Sequence, residues 1–180
     1  MAWDLPDLPD VGDLATVVNW AQKVRDSLTY LKQETVKAIF APFTTLGTGA
    51  AQAANGNFSV VLLDAATEQA QLSFQVPNDF GSLSAVKIAI IPTATGTFDW
   101  TAYAEQLDNG EATGTITDSA TADGQAATNN TLLELDITAA FNGLGLAAGD
   151  WVGLQFILDV LTTTTAIGLV GISFQYTATM

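Results

Sequence analysis

Between residues 57 and 177 the apolar side chains recur at every second position, and no helix of length interrupts them. In "AQLSFQV" Ala70, Leu72, Phe74 and Val76 share one face while Gln71, Ser73 and Gln75 share the other, and "WVGLQFILDV" alternates Val152, Leu154, Phe156, Leu158 and Val160 in the same way. A period of two is the signature of a strand with one face buried. About eight such runs are expected, at 57–63, 70–76, 85–91, 97–105, 112–118, 131–138, 151–160 and 166–177, separated by turn-forming clusters. Pro77 and Pro92 fall at strand ends, where a missing N–H costs little. "TAAFNGLG" at 138–145 has room for one helical turn. The expected class is mainly β: an antiparallel β-sandwich of about eight strands, with a jelly roll the best match in strand number and an immunoglobulin-like sandwich second.

The first third follows other rules. Residues 1–12 hold Pro6, Pro9 and Gly12 among alternating Asp and apolar residues, which disfavours helix and predicts an extended anchoring arm that buries Trp3, Leu5 and Leu8. From Asp13, a candidate N-cap, to Phe40 the spacing becomes three and four. Leu14, Ala21, Leu28 and Thr35 take one heptad position, and Val17, Val24, Leu31 and Ala38 the other, so a single long, coiled-coil-like helix is expected over 13–40 as an oligomerisation stem. Arg25, Lys32 and Glu34 flank that seam. The same pattern suits an amphipathic helix lying on its own domain. Because Ala21 and Thr35 weaken the seam, a bundle of such helices needs the globular part to share the interface. Residues 41–56, "APFTTLGTGAAQAANG", read as a linker, and 57–180 as the sandwich domain.

Composition removes most chemistries. Nineteen acidic residues against five basic ones give a net charge of −14, a field that repels nucleic acid and anionic membranes. Without histidine or cysteine the chain has no Ser-His-Asp triad, thiolate nucleophile or common zinc site. The start "MAWDLPDLPD" lacks the basic and apolar runs of a signal peptide, and no apolar stretch approaches the roughly 18 residues of a spanning helix. A soluble chain without an export signal is expected.

Carboxylates remain. A glycan hydrolase needs two acids about 5 to 10 Å apart across a cleft, and Asp99, Glu105, Glu111, Glu134 and Asp136 are the candidates, although solvated surface charge explains them more simply. No cofactor is called for. Calcium is the one metal the composition permits, through the acidic loops 107–114 and 117–125, neither of which has EF-hand spacing. Lys87 alternates with Val86 and Ile88 and reads as solvent-facing or ion-paired. Trp100 and Tyr103 are candidate sugar-stacking rings, but Trp100 shares its face with Phe98 and Ala102 and therefore reads as core.

One segment carries a family signal. "MAW…P" followed by "GDLATVVNWAQKVRDSLTYLK" resembles an N-terminal pattern of tailed-bacteriophage virion proteins: Met-Ala-Trp, a proline, Gly-Glu-Leu-x-Thr, then Val-Arg-Asp-x-Leu-x-x-Leu-Lys. Gly12, Leu14, Thr16, Val24, Arg25, Asp26, Leu28, Leu31 and Lys32 stand where that pattern has them, with Asp13 in place of glutamate and Ala21 in place of the usual asparagine. The resemblance implies an attachment and oligomerising segment ahead of a trimeric, jelly-roll, fibre- or decoration-like domain. It implies a homotrimeric structural protein at the virion surface, without enzymatic activity, whose N-terminus docks on capsid or tail proteins. In the alternative the same chain is a receptor-binding fibre tip that recognises a glycan or protein of the host cell surface. On either reading no nucleic acid or membrane is a partner.

Overall fold

The alternating segments form two antiparallel sheets. The structure, a computed structural model, describes residues 21–25, 36–46, 49–114, 116–162 and 166–179. The strands are β1 (Val36–Pro42), β2 (Thr44–Leu46), β3 (Ala51–Asn55), β4 (Phe58–Leu63), β5 (Gln69–Gln75), β6 (Phe80–Pro92), β7 (Gly96–Leu107), β8 (Ile116–Ala127), β9 (Leu133–Asp136), β10 (Trp151–Leu161) and β11 (Ile167–Ala178). One sheet has six strands in the order β3-β4-β11-β6-β9, with β1 also paired to β11; the other has five, in the order β2-β5-β10-β7-β8. Strands β4 to β11 thus divide four and four, β4-β11-β6-β9 facing β5-β10-β7-β8, which is jelly-roll order.

The two inner faces meet in one core. Leu72 and Phe74 of β5, Phe98 and Trp100 of β7 and Phe156 of β10 pack against Val86, Ile88 and Ile90 of β6 and Ile172 and Phe174 of β11. Phe174 sits among rings, with centroids 5.1 Å from Phe74, 5.9 Å from Phe80 and 6.2 Å from Phe141. Phe141 arrives on the one-turn helix Ala139–Asn142, where a single turn was expected. Trp100 is buried and stacked on Phe156 at 5.8 Å, as its shared face with Phe98 implies. Such tilted and offset ring pairs add to plain area burial.

The chain divides into two units, one spanning residues 1–35 with Met180 and one spanning 36–179. In the first, residues 21–25 are helical and exposed, and they carry Ala21 and Val24 of the expected seam. Leu14, Val17, Leu28, Leu31 and Thr35, with the arm residues Trp3, Leu5 and Leu8, lie outside the described residues. Among the described residues there is no long helix, and the expected stem does not extend to Phe40. Residues 36–42 are β1, and Ala38 stands exposed opposite Gln175 of β11 rather than in a helical seam. The reason is pairing: "VKAIFAP" satisfies its backbone on β11 over seven consecutive registers and turns Ile39 and Ala41 inward.

Two further expectations change. The segment 41–56 is not a plain linker, since it contributes the end of β1, all of β2 and all of β3, and buries Phe43 in the core. The acidic stretch 117–125 is not a loop but the middle of β8, an edge strand whose Thr, Ser and Ala residues pair along β7. Small polar residues suit an edge that faces water.

Candidate functional site

Alternation on the five-stranded sheet leaves one face to solvent, and the register decides which residues meet there. Gly153 of β10 lies opposite both Ser73 of β5 and Glu105 of β7, and Glu105 lies opposite Thr117 of β8. One step along, Gln155 lies opposite Gln71 and Tyr103, and Gln71 opposite Thr44 of β2. These residues line a groove of about 760 Å³ that crosses all five strands, with Pro42 at one end. Five strands at the usual spacing give it a length of roughly 19 Å.

Gly153 makes the floor: a Cβ built there would meet nothing within 4 Å, so the space above it is open. Tyr103, 47% exposed, stands on one side of this floor, and Trp151, 55% exposed, follows on the same face of β10. The polar groups are held in place by neighbours. Gln155 donates from Nε2 to Oε1 of Gln69 at 2.6 Å, and Thr44 donates from Oγ1 to the carbonyl of Gln71 at 2.9 Å. Beside the groove Gln75 donates from Nε2 to the carbonyl of Gly149 at 2.9 Å. Glu105 accepts the backbone N–H of Gly114. The result is a face of amides, hydroxyls and one ring, with Glu105 the only carboxylate lining it among the described residues.

The acids considered for hydrolysis are spread over both sheets and a turn, and each is engaged by a neighbour. Asp99 and Glu105 share the outward face of β7 but stand six residues apart, about 20 Å along a strand, and Asp99 accepts the N–H of Gly124 at 2.7 Å. Glu134 and Asp136 belong to the other sheet, where Glu134 pairs with Lys87 at 2.9 Å and Asp136 accepts both N–H and Oγ1–H of Thr138. The Thr138 hydrogen bonds hold the Asp136 carboxyl below its ordinary range. Glu111 caps its own turn by accepting the N–H of Asp108 at 2.8 Å. Among the described residues no three His, Cys, Asp or Glu side chains gather in a way that would hold a metal ion.

Tyr103 and Glu105 are the residues of this groove that the sequence singles out, and Gln71 and Ser73 are legible as the polar face of β5. What joins them to Gly153, Gln155 and Thr44 is register, which alternation alone does not contain.

No protein-family model matches the chain, and no curated protein matches its sequence. Solved structures do resemble it. The mosquito-larvicidal Cry4Aa toxin of Bacillus thuringiensis aligns at 14% identity over 81% of this chain and 24% of that one, with a TM-score of 0.51. A carbohydrate-binding module, CBM36, in complex with calcium and xylotriose aligns at 17% identity over 77% of this chain and 98% of that one, with a TM-score of 0.41. CBM29_1, a carbohydrate-binding module from Piromyces equi, aligns at 11% identity over 80% and 91%, with a TM-score of 0.40. The Cry4Aa likeness is one of fold: an antiparallel two-sheet β-sandwich.

Proposed function

We propose that this chain is a homotrimeric, non-enzymatic surface appendage of a tailed-bacteriophage virion, anchored through its N-terminal segment, and that its sandwich binds a neutral saccharide of the host surface. The groove across the five-stranded sheet carries the binding reading. Its amides and hydroxyls match the alternating donors and acceptors of a sugar ring, and Tyr103 and Trp151 offer apolar ring faces to C–H groups. A net charge of −14 opposes polyanionic ligands, so an uncharged glycan fits best. The N-terminal resemblance supports the anchoring reading.

The test has two arms. Calorimetric titration of the full chain with a panel of neutral oligosaccharides should show binding that Tyr103→Ala weakens about tenfold or more. Gly153→Phe should abolish it while leaving the fold intact, because the added ring occupies the open floor. Equal binding by wild type and both variants, or none across the panel and to intact host cells, overturns the groove reading. Antibody labelling of whole virions should place the chain on an appendage; absence from the particle overturns the virion reading.

A further inference from the structure

Charge is unevenly spread in this chain. Residues 36–63 carry one charged side chain, Lys37, and residues 160–180 carry none. The fold gathers these two stretches, since β3, β4, β1 and β11 are neighbours in the six-stranded sheet. Lys37 is ion-paired with Asp79. The acids of residues 36–179 all fall between Asp64 and Asp159, on other strands and loops.

On the outward face of this acid-free region β1 and β4 present apolar side chains, beside the uncharged Ser173, Gln175 and Thr177 of β11. Val36 and Phe40 of β1 are 66% and 60% exposed, and Phe58 of β4 is 55% exposed. Val60 and Ile91 are buried, yet they stand outside the interior core, on the opposite side of the sheet from Val61 and Ile90. A Cβ built on Gly168 would press against Val60, and one built on Gly171 would run into the ring of Phe40, so glycines let these side chains lie flat on β11. The outcome is three exposed apolar side chains, Val36, Phe40 and Phe58, beside the buried Val60 and Ile91, and exposed apolar clusters mark contact sites.

We infer that this face is a contact surface for a second copy of the chain. Elsewhere two molecules of charge −14 bring carboxylates together as they approach, whereas here they meet across an uncharged patch of β1, β3, β4 and β11, with Lys87, Glu134 and Asp136 set farther along the sheet on β6 and β9. A basic partner would be drawn to the acidic loops instead. A second copy matches in chemistry by identity, as a symmetric contact requires. The inference deepens the homotrimer reading, resting on it only for the number of copies, and it gives the sandwich a contact separate from the N-terminal stem.

Sedimentation velocity on the full chain distinguishes the two. Phe58→Asp and Phe40→Asp should each weaken self-association about tenfold or more, while Thr121→Asp, exposed on β8 of the opposite sheet, leaves it unchanged; circular dichroism checks the fold of each variant. A monomeric wild type overturns the proposal, as does assembly of both face variants at wild-type strength. If Leu28→Asp disperses the oligomer and the face variants do not, the stem alone assembles the protein and this proposal fails. If the face variants disperse it and Leu28→Asp does not, the face stands and the stem reading fails.

Discussion

Asp79 shows how much one exposed carboxylate can organise. It is ion-paired with Lys37 of β1, accepts the Tyr176 hydroxyl of β11 at 2.9 Å, and its backbone accepts the N–H of Thr179 at 2.7 Å. The hydrogen bonds from Lys37 and Tyr176 hold its carboxyl below the ordinary value of 3.8. Lys37 is raised by the same pairing, and Tyr176 is raised by burial and by Asp79. A depressed carboxylate contributes stability that is present above its unfolded pKa and lost as pH falls through the folded one. Raised Lys37 and Tyr176 contribute below their unfolded values near 10 and lose that contribution as pH rises through the folded ones. Thermal melts should therefore show the wild type losing Tm as pH drops below about 4, with Asp79→Asn starting lower at neutral pH and falling less steeply. Parallel melting curves for both proteins across that range would disprove the linkage. At this scale the sequence was legible in part. Lys87 as an outward strand residue and Trp100 as core both follow from alternation, whereas the pairing of Lys87 with Glu134 and the Lys37–Asp79–Tyr176 cluster join segments that only the fold brings together.

At the scale of elements, β1 is the informative case. Over 36–40 a period of two and a heptad spacing overlap, because Ala38 serves either as an outward strand residue or as a helical seam position. What decides is the free hydrogen-bonding side of β11, which seven registers of β1 fill. β8 is placed too early by the sequence, at 112–118 rather than 116–127, for the opposite reason: its small and acidic residues look like a loop, and its strand character comes from pairing along β7 rather than from its own propensity. By contrast β5 was legible in full and β10 as far as Leu158, since each buries one face deeply and exposes the other; past Leu158 the register with β7 shifts, and Val160, expected on the buried face, stands 43% exposed. The packing of β1 on β11 makes its own prediction. Gly171→Ala places a methyl against the Phe40 ring and the Ala41 carbonyl oxygen, so it should destabilise the fold by about 1–3 kcal/mol. Phe40→Ala in the same chain should recover part of that loss, because the ring is one of the two obstacles. Denaturant melts of the two single variants and the double variant form the cycle, and strict additivity would show that the ring does not lie over Gly171.

The whole molecule has two sheet faces with different chemistry. One is polar, ringed and grooved around Gly153; the other is free of acids from β3 to β11 and carries the exposed apolar side chains of β1 and β4. The split was readable in the sequence only as charge-poor stretches at 36–63 and 160–180, and it took the crossing of β11 between β4 and β6 to place them on one surface. The division separates the two contacts by their response to salt. Attraction across an apolar face strengthens when repulsion between the acidic remainders is screened, and the Debye length shrinks from roughly 10 Å at 0.1 M salt to about 3 Å at 1 M. Self-association of the wild type should therefore tighten as sodium chloride is raised over that range. Binding of a neutral oligosaccharide in the groove should stay flat, because no charge pair forms there. Sedimentation and calorimetry at several salt concentrations measure the two slopes on the same protein. Self-association that loosens with salt would mean that ion pairs hold the copies together; in the sandwich Lys37 and Lys87 are already engaged by Asp79 and Glu134, so such pairs would point to Lys23, Arg25 and Lys32 of the N-terminal segment and to the stem rather than the face.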